Sequence, residues 1–205
     1  TLRVDMAETR LRYRMQPVSQ KFRRLAPHGK LVIRSRNCMK IPENLRTGVC
    51  DLGVGYDMGW SRDVLQTRLL GEYEIILLAA PEFAHRDFTT PNQRKPVSLI
   101  TDEPDSLFRR RLEDYLRERS IALEETIELW SIETIKRCVM SNLGFTFLPR
   151  FAVREELDAG QLVELPAPIS GIRCPVLCAW HKNRWVTPAM ELFRQLLEER
   201  MSAPG

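Results

Sequence analysis

Ser131 stands between the run TIELW and the segment SIETIKRCV, where a helix is expected to begin. A hydroxyl there can close the exposed N–H groups of a first helical turn, and those groups, with the helix dipole, also attract a carboxylate or other anion. Two roles for Ser131 stay open, a helix cap and a ligand contact. Tyr56 and Asp57 end the run CDLGVGY, and Thr101 and Asp102 end the run VSLIT. As strands of a parallel sheet, these runs would put all four residues at carboxyl ends of strands, where open α/β sheets receive ligands. Nucleophilic chemistry has no support of this kind. His28, His85 and His181 are scattered without a partnered nucleophile, and the glycines of DLGVGYDMG do not form GxGxxG. No cofactor is expected. Cys174 and Cys178, in CPVLC, lack the second pair of ligands that a zinc site needs, so no metal is expected either.

The elements that must position these residues follow from periodicity. LRV at 2–4 reads as a short strand, and Leu11, Met15, Val18, Phe22 and Leu25 repeat at helical spacing, with Glu8 and Thr9 at the start and Pro27 as the stop. KLVIRS at 30–35 suits a strand, and a short helix follows with Pro42 in its first turn and Gly48 beyond its end. CDLGVGY then reads as a strand buried on both faces. This β-α-β-α-β order implies a parallel sheet with helices on its faces.

YEIILLAAPEF at 73–83 reads as a strand leaving that unit, and residues 86–96 as a loop. A second unit follows, with strands at 97–101 and 126–130 around a helix carrying Phe108, Leu112, Tyr115 and Leu116. In it, a helix over 131–143 would bury Ile132, Ile135, Val139 and Leu143 and end at Gly144 in a left-handed position, ahead of the strand FTFLP. A short helix around 150–159, strands at 161–166 and 174–180, and a terminal helix over 187–201 with Leu192, Leu196 and Leu197 inward complete the chain. Arg109, Arg110 and Arg111 read as a solvated helix face.

With 205 residues, 43% of them hydrophobic, the chain can bury the core of one domain or of two small lobes. The longest apolar run, at 75–81, is too short to span a bilayer, which needs about 20 residues. The net charge of +4 is spread along the chain and reads as a basic surface. Five cysteines without framework spacing suit buried thiols in a reducing cytosol. Cys38 has no basic cluster or resolving thiol nearby that would mark a redox switch. The chain opens without Met and without a signal-like segment, as a piece or a trimmed form of a longer chain would.

Three stretches carry a resemblance. TLRVDMAET at 1–9, NLRTGVCDLGVGY at 44–56 and SIETIKRCVMSNLGFTFLPRFAV at 131–153, in this order and spacing, resemble the effector-binding domain of LysR-type transcriptional regulators over essentially the whole chain. The second is similar to that family's leu-x-x-gly-x-x-asp-leu-gly-ile stretch. The resemblance implies a type II periplasmic-binding-protein fold, an α/β arrangement of two Rossmann-like lobes joined by two crossing strands. Lobe I would take residues 1–76 and 177–205, and lobe II residues 77–176.

The resemblance also implies a small molecule held between the lobes. Glu8 and Thr9 match the ligand-facing start of the family's first helix, although the family usually offers small hydroxyl residues there and Glu8 departs from that pattern. Asn37 matches a polar contact after the second strand; its alternative is turn chemistry. Phe147 either walls the cavity or packs in the core. Glu8, Asp57, Asp102 and Glu103 would make the mouth acidic while helix N-termini favour an anion, which suits an effector with both an amine and a carboxylate.

The family's N-terminal winged helix-turn-helix and linker helix have no counterpart in residues 1–205, so DNA contact is expected through a part outside them. A homodimer of these domains, head to tail, and a tetramer of the whole regulator are implied. The expected function is an allosteric sensor in the cytoplasm, not an enzyme and not membrane-bound. The alternative is a free-standing type II solute-binding protein.

Overall fold

The computed structural model describes residues 1–202, with the side chains of residues 8–14 and 202 outside the description. The chain forms two compact units, Thr1–Glu72 with Cys174–Gly205, and Tyr73–Arg173.

In the first unit, β1 (Leu2–Met6) is central and pairs in parallel with β2 (Leu31–Ser35) on one side and β3 (Leu52–Tyr56) on the other. The crossovers are α1 (Glu8–Leu25) and α2 (Ile41–Arg46), as the alternation of strand and helix requires. All five residues of β3 are buried, as its apolar run predicts. Gly53 lets α2 lie directly on this strand, because a Cβ there would stand 2.2 Å from Ile41 Cγ2. Met15, Val18 and Phe22 are the buried face of α1, and the Phe22 ring meets Phe193 of α6 (Pro188–Ser202) edge to face at 5.5 Å. Two periodicity expectations fail at helix ends: Leu25 is exposed, and Leu192 is only half-buried, with Phe193 taking the inward place. Pro17 lies inside α1 without ending it.

Two strands run through both units. β4 (Leu65–Ala79) leaves the first and β9 (Ile172–His181) returns to it, pairing antiparallel with β3. β4 begins eight residues before the expected start at 73. Its first half carries Gln66, Thr67, Arg68 and the exposed Leu69, so it lacks the continuous apolar signal of IILLA.

In the second unit, β4 pairs antiparallel with β7 (Phe145–Pro149) and with the short β8 (Val163–Glu164). β5 (Gln93–Thr101) lies parallel to β7 and to β6 (Ile121–Glu128), with α3 (Leu107–Glu118) as the β5-to-β6 crossover. α4 (Ile132–Met140) leads into β7, and α5 (Arg154–Asp158) follows it. β6 lies upstream of its expected place: it ends at Glu128, and Trp130 stands outside it, 76% exposed.

α4 is shorter than its apolar pattern suggested. Asn142, with φ of 62°, holds the left-handed position expected of Gly144, and the Leu143 N–H donates to Cys138 O at 3.1 Å in a Schellman-type closure. Leu143, beyond that stop, is 52% exposed and not in the core. Gly144 has another reason to be glycine: a Cβ there would lie 2.1 Å from the backbone oxygen of Ser98 on β5, where β7 enters the sheet.

Candidate functional site

The second unit brings Thr101, Asp102 and Ser131 to one end of its parallel strands. Thr101 pairs with Glu128 in register, and the Leu129 N–H donates to Thr101 O at 2.8 Å, so β5 and β6 finish level with each other. Asp102 follows β5 directly and Ser131 lies three residues past the end of β6.

Ser131 occupies the N-cap position of α4 with extended backbone, φ −125° and ψ 124°, yet its hydroxyl makes no hydrogen bond back to the helix. Ser131 therefore holds the expected N-cap position without the cap bond, and this end of a nine-residue helix is left without its usual side-chain acceptor. The helix is fixed by its other face. Ile132, Ile135 and Val139 are buried, and Lys136, only 4% exposed, sets its Nζ 2.5 Å from Glu156 of α5 and 3.2 Å from Glu133.

Asp102 is half-buried, and burial is the largest influence on its carboxyl, pushing it up from 3.8 to about 6 against the hydrogen bond from Ser106. Glu103 adds to the rise by charge repulsion, and the Thr101 hydroxyl lies 3.3 Å from Asp102 Oδ1. Ser106, at the N-cap position of α3, thus serves Asp102 and makes no cap bond to its own helix. Arg109 is a residue the sequence reading misplaced. It is not a solvated arginine: its guanidinium donates to Glu128 Oε2 at 2.8 Å, to Glu113 Oε1 at 2.7 Å and to the backbone oxygen of Asp102 at 3.3 Å. One side chain thereby ties the ends of β5 and β6 to α3. Its i,i+4 spacing to Glu113 was the available signal.

The remaining expected positions are in different surroundings. In the first unit, Asn37 Oδ1 accepts the Met39 N–H at 2.8 Å, which is turn chemistry. Asp57 Oδ1 likewise accepts the Gly59 N–H at 2.9 Å, and its other oxygen lies 3.6 Å from Arg62. Tyr56 is fully buried at the end of β3. Phe147 is buried on β7, its backbone paired with Leu77. Glu8 and Thr9 fall in the first turn of α1, and their side chains lie outside the described residues.

Two of the thiols are held in the protonated form. None of the five cysteines forms a disulfide, and burial pushes Cys50 and Cys178 up to about 12, with Asp5 adding to the effect at Cys50. Among the described residues, no group of three or more His, Cys, Asp or Glu side chains is placed to hold a metal ion. No described helix is long and apolar enough to cross a membrane.

A family model described as the LysR substrate binding domain matches residues 1–202. The chain belongs to this family. It is 45% identical over 202 residues to the uncharacterized HTH-type transcriptional regulator YfiE of Escherichia coli (strain K12), covering 98% of this chain and 69% of that protein. A second relative is the uncharacterized HTH-type regulator YwqM of Bacillus subtilis (strain 168), 30% identical over 96% of this chain and 67% of its own length. Among solved structures, the regulatory domain of Synechocystis PCC6803 CcmR in complex with 2-PG matches with a TM-score of 0.80 at 16% identity, over 98% of this chain and 97% of that one. The regulatory domain of MetR from N. meningitidis matches with a TM-score of 0.76 at 20% identity, over 97% and 92%.

The fold is that of LysR regulatory domains, a type II periplasmic-binding-protein arrangement. The chain is the effector-binding domain of a LysR-type transcriptional regulator, and a free-standing solute receptor finds no support. Its relatives are transcriptional regulators, and regulators of this family bind small-molecule effectors and DNA and form oligomers.

Proposed function

We propose that the effector is a small molecule carrying both an amine and a carboxylate, and that the strand ends of the second unit recognise it. The observation that carries this reading is the uncapped start of α4. Ser131 leaves the first-turn N–H groups without a side-chain acceptor, and a carboxylate at that point gains both their hydrogen bonds and the helix dipole. Asp102, at the neighbouring strand end, supplies the opposite charge. With its carboxyl raised to about 6 it is mostly ionised at neutral pH and pairs with an ammonium group. In the first unit, the ends of β2 and β3, with Asn37, Tyr56 and Asp57, and the start of α1, with Glu8 and Thr9, supply further contacts. Phe147 acts from β7, as packing beneath the site.

Effector binding shifts the population of conformations of the whole regulator and so changes how its DNA-binding parts are presented. Those parts lie in an N-terminal winged helix-turn-helix outside the present residues. The domains pair head to tail, four in the whole regulator, which acts in the cytoplasm. A thermal-shift screen tests the ligand class: amino-acid-like compounds are expected to stabilise the domain ahead of plain aromatic acids, and the reverse order sinks the reading.

A further inference from the structure

The most exposed of the large apolar side chains among the described residues belongs to the first unit. Trp185, 83% exposed, lies in the connection between β9 and α6 of the first unit, and Val186 beside it is 41% exposed. This connection is not loose. The Arg184 guanidinium is ion-paired with the buried Asp51, whose other partner is Arg3 at 2.8 Å, and the Arg184 N–H donates to His181 O at 3.0 Å. On the far side, Thr187 Oγ1 accepts the Met190 N–H at 3.2 Å and so starts α6. The indole is therefore presented from backbone fixed on both flanks, which is how a contact residue is held and not how a solvated one needs to be.

Trp185 also lines a pocket of about 430 Å³ whose wall includes Thr1, Asp51, Arg184, Thr187 and Met190. Thr1 is the decisive member. It is the residue that enters β1, so any polypeptide leading into this domain starts at the wall of the pocket and is tethered there at high effective concentration. The matched regulator YfiE is longer than this domain, with 69% of its length aligned, so nearly a third of such a protein is available as occupant.

We infer that this pocket is the docking site for the segment immediately preceding Thr1 in the full-length regulator, with an apolar side chain of that segment packed on the Trp185 indole. The contact would couple the effector-binding domain mechanically to whatever precedes it. The β9-to-α6 connection would then act as the seat of the interdomain joint. This inference rests on family membership and not on the effector chemistry proposed above, so either can fail alone.

Fluorescence decides it. In a Trp130→Phe background, with any tryptophan of the preceding part also replaced by Phe, Trp185 is the one exposed indole left, since Trp60 and Trp180 are buried. Acrylamide quenching is compared between residues 1–205 and the full-length protein over a range of concentrations. The inference predicts several-fold weaker quenching and a blue-shifted emission in the full-length protein, at every concentration. It also predicts that Trp185→Ala leaves the melting of residues 1–205 unchanged but speeds proteolysis just before Thr1 in the full-length protein. Equal quenching in the two lengths overturns the inference. Shielding that appears only as concentration rises overturns it too, because a second copy would then be the occupant.

Discussion

Asp102→Asn should stabilise the domain at neutral pH while weakening its response to effector. Burial raises the Asp102 carboxyl from 3.8 to about 6, so the folded state holds a proton through a pH range in which the unfolded chain has released it. Unfolding free energy therefore falls as pH rises from about 4 to about 6, and the penalty is fully present above that window. The rise corresponds to about 3 kcal/mol at full burial, and to about 2 kcal/mol once water at this half-buried position screens the charge. Asparagine keeps an acceptor for Ser106 and removes the charge. Urea unfolding of both proteins at pH 4, 5, 6 and 7 isolates the effect, since contributions from other groups cancel in the difference. The curves should coincide near pH 4 and separate by about 2 kcal/mol in favour of the variant at pH 7. A constant difference between pH 4 and 7, or an Asn variant less stable at pH 7, refutes the reasoning. A destabilising charge retained at a strand end is what a binding site that sacrifices stability for function would show.

Two further perturbations probe the scaffold that holds this site. Gly144→Ala places a Cβ 2.1 Å from the Ser98 backbone oxygen, so β7 and β5 must separate; a loss of roughly 3 kcal/mol or more in chemical unfolding is expected, and a neutral outcome would show that the two strands do not pack this closely. Lys136→Ala leaves the half-buried Glu156 without its 2.5 Å partner and should cost about 2–3 kcal/mol, whereas joint replacement of Lys136 by Met and Glu156 by Leu should recover most of it by the same measurement.

Much of this was legible in the sequence because it rests on local rules. The β-α-β alternation fixed by Leu2–Met6, α1 and KLVIRS, the doubly buried CDLGVGY run and the proline-started α2 and α6 all follow from periodicity and punctuation. What escaped depended on contacts distant in sequence. The polar composition of the first half of β4 carries no strand signal of its own, and β6 takes its register from β5, with Gln93 opposite Ile121. Gly144 looked like a helix terminator because glycine so often is one; its role is close approach to Ser98, 46 positions away, which no local pattern encodes. Arg109 looked solvated as part of RRR, and only the folded chain brings Glu128 to it. At the candidate site, the grouping of Thr101, Asp102 and Ser131 followed from strand order, but the missing cap bond at Ser131 and the elevated carboxyl of Asp102 needed coordinates.

The most direct test of the central claim is the ligand response of Ser131→Asp. Aspartate is a favoured N-cap, so the variant should fold at least as well as the parent, while its carboxylate occupies the place proposed for the effector's own. Compounds bearing an amine and a carboxylate should raise the melting temperature of the parent domain and leave that of Ser131→Asp unmoved. An undiminished shift in the variant would contradict the account.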